Sequence, residues 1–207
     1  VRGMRVLDLF SGIGGFSLGF ERAGMKTVAF CEIDDFCQKV LRKHWPDVPI
    51  HGDVTTRGFT HGEADVVCGG FPCQDVSNAG QRAGLSGERS GLYRELVRAI
   101  RVVRPRVAIV ENVAALLGRG LGTVLGDLAE SGYDAEWDCV PACAVGAPHE
   151  RDRIWIVAHP HSAGREAANG WSSPPLDRSG FAHPSSQQVG TAGQPRLDGG
   201  VAGERSH

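Results

Sequence analysis

"RVLDLFSGIGGFSLGFERAG", Arg5 to Gly24, holds a whole architecture in twenty residues. Arg5–Leu9 is short, with Val6, Leu7 and Leu9 apolar, and reads as a strand. Gly12, Gly14 and Gly15 follow within four positions, and then Gly15–Ala23 spaces its apolar residues near the helical period. A strand, a glycine-rich turn and a helix make the opening unit of a nucleotide-binding α/β fold. The same alternation continues to His159. Further strands are predicted at Thr27–Glu32, Asp65–Cys68, Val107–Glu111, Ala135–Val140 and Arg153–Ala158. Helices are predicted at Asp35–His44, Leu92–Val103 and Leu121–Ser131. "VAIVE" (107–111) and "IWIVA" (154–158) are apolar nearly throughout, as strands of a parallel sheet covered on both faces would be. The expected fold is α/β, a doubly wound and mostly parallel sheet.

The 207 residues suffice for one well-buried domain and a tail, with 41% hydrophobic and 22% charged residues, ordinary for a globular protein. No apolar run reaches the roughly 18 residues of a membrane span, and no signal-peptide core opens the chain. The expectation is a cytoplasmic protein without a membrane partner, whose six cysteines are reduced. After Pro160 the composition turns to Gly, Ser, Pro, His and Gln without apolar periodicity. The chain therefore divides into a catalytic domain over 1–160 and a low-complexity stretch over 161–207. The latter reads as a disordered tail or the start of a truncated region. Net charge is −2, but from Arg82 to Arg106 seven arginines face two glutamates, a local excess of +5. Arg94, Arg98 and Arg101 share a helical face that is either solvated or turned to a polyanion.

Ligands of open α/β sheets collect outside the carboxyl ends of the strands. There the sequence places its unusual residues. Glu32 closes the second strand twenty residues after Gly12, where a carboxylate can take the hydroxyls of a ribose. Asp53, in "HGDV", ends an edge segment. Phe71-Pro72-Cys73-Gln74 leaves the fourth strand, with Cys73 where the backbone must turn and Cys68 inside the apolar run. Glu111, in "VENV", lies one strand over. Arg151 and Arg153 alternate with Asp152 in "PHERDRIW". Singly these are a core thiol, a carboxylate at a helix start and surface charge. Together they are a thiol, an acid and two cations around one pocket.

"LDLFSGIGG", "FCEID", "HGDV", "GGFPCQDVSNAG", "VENV" and "PHERDRIWIVA" resemble, in order and spacing, the motifs of the DNA cytosine-5 methyltransferases over residues 4 to 159. The resemblance implies S-adenosyl-L-methionine as cofactor, bound by Phe10, Ser11, Gly12, Gly14, Glu32, Ile33, Asp53 and Pro72. Ile33 would stack on the adenine and Asp53 take its amino group. It implies Cys73 as the nucleophile on C6 of a cytosine flipped out of double-stranded DNA, with Glu111 at N3 and the exocyclic amine. Arg151 and Arg153 would hold the base and its backbone. Ser77, Gln81, Arg82 and Arg89 fall in a segment similar to the loop that closes over DNA. No metal is implied. His149 stands where the family has glutamine, and no counterpart of the C-terminal motifs is found. The chain is thus expected to be truncated, acting as a monomer on DNA with a complementary C-terminal polypeptide.

Other readings remain open at this point: an RNA cytosine-5 methyltransferase with the same motifs, and a remnant that binds cofactor or a partner without turnover. A nicotinamide-dependent oxidoreductase explains Gly12 and Glu32 but leaves Cys73 and Glu111 idle. A zinc site from Cys139, Cys143 and His159–His161 has irregular spacing against it.

Overall fold

The computed structural model describes residues 3–72 and 91–161. Chain order is β1 (Arg5–Leu9), α1 (Gly15–Arg22), β2 (Lys26–Cys31), α2 (Asp35–His44), β3 (Ile50–His51), β4 (Val66–Gly70), α3 (Gly91–Val103), β5 (Val107–Val113), α4 (Leu116–Arg119), α5 (Leu121–Glu130), β6 (Tyr133–Pro141) and β7 (Asp152–Pro160). A turn of 3-10 helix at Ala142–Val145 lies between the last two strands. The sheet runs β3-β2-β1-β4-β5-β7-β6. Its first five strands are parallel, and β7 is antiparallel to both β5 and β6. The expected mostly parallel α/β sheet is present.

One expectation needs correction. "IWIVA" belongs to antiparallel β7, and its burial alternates: Ile154, Ile156 and Ala158 are fully buried while Trp155 stays about a third exposed. The reason is the short connection from β6, which returns the chain beside itself; a parallel partner would need a longer crossover.

The order of strands reverses between β1 and β4, which opens a crevice at their carboxyl ends. Beneath it one face of the sheet, through Leu7, Leu9, Val67, Val110 and Ile156, packs on α3 and α5. The buried positions of α3 (Tyr93, Leu96, Val97, Ile100, Val103) recur at the helical period that predicted it. Its arginines are largely committed to the protein. Arg98 donates to Val54 O at 2.8 Å and to Arg57 O at 3.1 Å, pairs with Glu95, and lies 4.5 Å from the centre of the Phe59 ring. Arg101 reaches Ser131 Oγ and Arg104 reaches Ser131 O. The segment between β3 and β4 has almost no ladder of its own, so its carbonyls need side-chain donors. Of the Arg94, Arg98, Arg101 face, Arg94 and Arg101 are exposed and Arg98 is half-buried. Among the described residues no helix is long and apolar enough to cross a membrane.

Against the other face of the sheet, fully buried Asp8 on β1 accepts from Ser17 Oγ at 2.7 Å, fixing α1 under the glycine turn. Burial pushes its carboxyl up to about 7; the Ser17 hydroxyl and the Cys68 thiol pull it back, and the charge of Glu32 adds to the rise. In the unfolded chain Asp8 ionises near its ordinary 3.8, in the fold only near 7. Between these values the folded state holds the extra proton. Stability should therefore fall as pH rises through that window, by up to about 1.4 kcal/mol per pH unit. Urea unfolding at a series of pH values should show the slope, and Asp8→Asn should flatten it. An unchanged slope would mean that Asp8 is already ionised in the fold.

Candidate active site

The glycine turn begins at Phe10, whose φ of 55° is a left-handed conformation that costs a bulky residue energy. Ser11, buried, donates to Asp8 O at 2.6 Å and so closes the turn on itself. Gly12 (φ 53°) and Gly14 (φ 88°) also have positive φ, which glycine adopts without that cost. Their surroundings differ. A Cβ on Gly12 would meet nothing within 4 Å, whereas one on Gly14 would lie 2.5 Å from the Trp45 ring. Gly14 thus serves the packing of α1 on the end of α2, and Gly12 borders open space.

Glu32 directly follows β2 and is nearly buried. Its carboxylate accepts from Gly12 N at 2.7 Å and from Asp34 N at 2.8 Å. Each oxygen keeps a further lone pair, so the group is oriented and still able to accept. Ile33 beside it is 74% exposed, a large apolar side chain held out at the rim. Asp53, two residues past β3, accepts from Thr55 N and Thr55 Oγ1, both at 2.8 Å; these bonds hold its pKa below the ordinary value.

The second half of the site lies across the crevice. β4 ends at Gly70, followed by buried Phe71 and exposed Pro72. Cys73, Ser77, Gln81, Arg82 and Arg89 lie outside the described residues. Glu111 sits within β5, two residues before its end rather than at it. In the β5–β7 register Val113 faces Arg153, so Glu111 and Arg153 are diagonal neighbours on one face, and Arg153 Nε lies 2.8 Å from Glu111 Oε1. Partial burial raises the pKa of Glu111; Arg153 and then Arg151 oppose the rise. The rim therefore holds one acid with two cations about it. Cys68 and Cys31 are buried thiols, Cys31 pushed up to about 11 and Cys68 well above the ordinary range, so neither offers a thiolate near neutral pH. Among the described residues no three His, Cys, Asp or Glu side chains gather as a metal site.

The family model for C-5 cytosine-specific DNA methylases matches residues 4–189. The chain belongs to that family. Among curated members, Type II methyltransferase M.Eco47II of Escherichia coli is 40% identical over 161 residues, covering 74% of this chain and 39% of the relative. Type II methyltransferase M.HpaII of Haemophilus parainfluenzae is 38% identical over 182 residues, covering 83% and 50%. This methylase-family chain spans two fifths to one half of the length of those relatives. Of solved structures, the Entamoeba histolytica methyltransferase EhMeth shares the fold at a TM-score of 0.65 and 18% identity, over 77% of this chain and 53% of its own. A Spodoptera frugiperda DNMT2 does so at 0.64 and 18%, over 78% and 51%.

One residue of the site lies inside the "VENV" motif without a role assigned to it from sequence. Asn112, buried beside Glu111, donates from Nδ2 to Phe71 O at 3.1 Å, while its Oδ1 accepts from Val113 N at 2.8 Å. It ties the exit of β4, the segment that leads to Pro72, to the strand carrying the acid. Asn112→Ala should cost about 1–3 kcal/mol in urea unfolding, because it leaves the Phe71 carbonyl without its donor. A change below about 0.5 kcal/mol would show that this carbonyl has another partner.

Proposed function

We propose that this chain carries the chemical centre of a DNA cytosine-5 methyltransferase that uses S-adenosyl-L-methionine. The observation that carries the reading is the acid between two arginines, Glu111 with Arg153 and Arg151, set one strand from the Phe71-Pro72 exit in a chain of this family.

The glycine turn supports the cofactor. Open space borders Gly12, Glu32 is held by two amides with lone pairs to spare, and Ile33 offers an exposed apolar face. Glu32 would take the ribose hydroxyls, Ile33 stack on the adenine, and Asp53 take its amino group, with Phe10, Ser11, Gly12, Gly14 and Pro72 shaping the walls. When bound, the cofactor supplies a methyl group on an electrophilic sulfonium.

Cys73, as thiolate, adds to C6 of the flipped cytosine, and the electron pair released from the C5–C6 double bond makes C5 nucleophilic. Glu111 stands at N3 and the exocyclic amine. Its raised pKa favours a proton there, which offsets the charge that develops on the ring. Arg151 and Arg153 hold the base and its backbone. After methylation, loss of the C5 proton restores the double bond and expels Cys73 as thiolate. Ser77, Gln81, Arg82 and Arg89 would meet duplex DNA. A C-terminal polypeptide would complete the assembly, as the share of the relatives' length spanned here suggests.

The test uses the 207-residue chain together with the C-terminal half of M.HpaII, the cofactor, and DNA containing 5-fluorocytosine. Fluorine cannot leave C5 as a proton does, so a denaturant-resistant adduct should accumulate. It should vanish with Cys73→Ser and persist with Cys68→Ser; an adduct formed by Cys73→Ser would remove Cys73 from the mechanism. On the cofactor side, Glu32→Ala should weaken S-adenosylhomocysteine binding by about 1.5–3 kcal/mol in calorimetry. Equal affinity in a folded Glu32→Ala would take Glu32 out of the site.

A further inference from the structure

The two glycines that end β4 are neighbours, yet what crowds them is different in kind. A Cβ on Gly69 would lie 2.8 Å from Leu9 O, part of the backbone of β1. A Cβ on Gly70 would lie 2.5 Å from Glu111 Oε2, the tip of a side chain that can swing. Neither glycine has positive φ, so alanine could adopt either backbone conformation. The need for glycine at both positions is therefore a matter of space alone.

From this we infer that Gly70 is a positioning residue for Glu111: its missing side chain is the space in which the Glu111 carboxylate lies. Gly70 and Glu111 are register partners in the β4–β5 pair, so their side-chain positions are adjacent on one face of the sheet. From above Gly70 the carboxylate reaches Arg153 Nε at 2.8 Å. Any Cβ at residue 70 pushes the carboxylate out of that seat and away from Arg153. The strand itself has no need to move, because the obstructing atom is the mobile one. At Gly69 the obstructing atom is backbone, and the sheet has to give. Gly69 thus answers a requirement of the fold, and Gly70 a requirement of the site. This role for Gly70 rests on the reading of Glu111 as the acid of the reaction, and the experiment separates the two.

The first measurement is thermal unfolding of the full 207-residue chain in a double-mutant cycle of Glu111→Ala and Arg153→Ala, with and without Gly70→Ala. The Glu111–Arg153 coupling should be measurable in the parent and absent when Gly70→Ala is present. Gly70→Ala should lower the melting temperature much less than Gly69→Ala, and Glu111→Ala should relieve whatever loss Gly70→Ala causes. Coupling that survives Gly70→Ala, or a destabilisation that Glu111→Ala leaves untouched, would overturn the assignment. The second measurement is methyl transfer with the C-terminal half of M.HpaII present. Gly70→Ala should lower kcat about 100-fold, the cost of roughly an ångström of misplacement, with the KM for cofactor unchanged. Loss of coupling with undiminished turnover would keep the seat of the carboxylate and overturn Glu111 as the acid.

Discussion

The parallel pairing of β4 with β5 is the constraint on which the rim depends. The hydrogen bonds that set Val66 beside Val107 also set Gly70 beside Glu111. A slip of one residue would turn Glu111 to the opposite face of the sheet, among Ala108, Val110 and the core of α3. The register is guarded on both sides. Inside the sheet the apolar faces of Val67, Ala108 and Val110 admit only one alignment, and Asn112 fastens the end of β4 by its bond to Phe71 O. Antiparallel β7 then brings Arg153 diagonally across to the acid. Three strands, drawn from distant parts of the chain, thus hold an ion pair whose own net contribution to stability need not be large.

On the other side of the crevice the governing contact is a single carboxylate. Glu32 takes the amides of Gly12 and Asp34 and so joins the turn after β1 to the turn after β2. Those amides would otherwise be unpaired, since both lie outside the ladder of the sheet. Gly14 lets Trp45 close over the start of α1, and Trp45 Nε1 in turn donates to Glu21 at 2.7 Å. The turn is therefore braced from below by Asp8 and Ser17, from the side by Trp45 and across its mouth by Glu32.

Most of the elements were legible because they rest on local periodicity. The predicted α2 runs over the observed residues, and α1, α3 and α5 differ by a residue at an end. Strand direction was not legible: "IWIVA" has the hydropathy of a buried strand whichever way it points, and only the return from β6 fixes it. β3, at two residues, is too short for any period to register. In the site, the spacing of Glu32 from Gly12 pointed to ribose hydroxyls; the hydrogen bond from Gly12 N to the Glu32 carboxylate was not read from it. That Glu111 and Arg153 share a rim was legible; that they touch was not, because the contact depends on a diagonal between antiparallel strands. Asn112 stood inside "VENV", but its role was not legible. Its partner is a backbone carbonyl 41 residues away, and carbonyls have no letter in a sequence. Of the arginines of α3, Arg98 is legible no better, since its partners are the carbonyls of Val54 and Arg57.

The antiparallel return that ends the sheet also decides which strands form its margins among the described residues. At one margin β3 offers only two residues of backbone. Among the described strands the other margin is β6, with nine residues, a length at which an unpaired margin invites a strand from another molecule. Along that margin Asp134, Glu136 and Asp138 fall on successive even positions and so point from one face together. A second β6 approaching edge to edge would bring a matching row of three carboxylates against them. Trp137, nearly half exposed, lies on the opposite face of the strand from these acids. Like charges at alternate positions oppose such an edge-to-edge approach, on the strand that the chain makes just before it turns back to bring in Arg153.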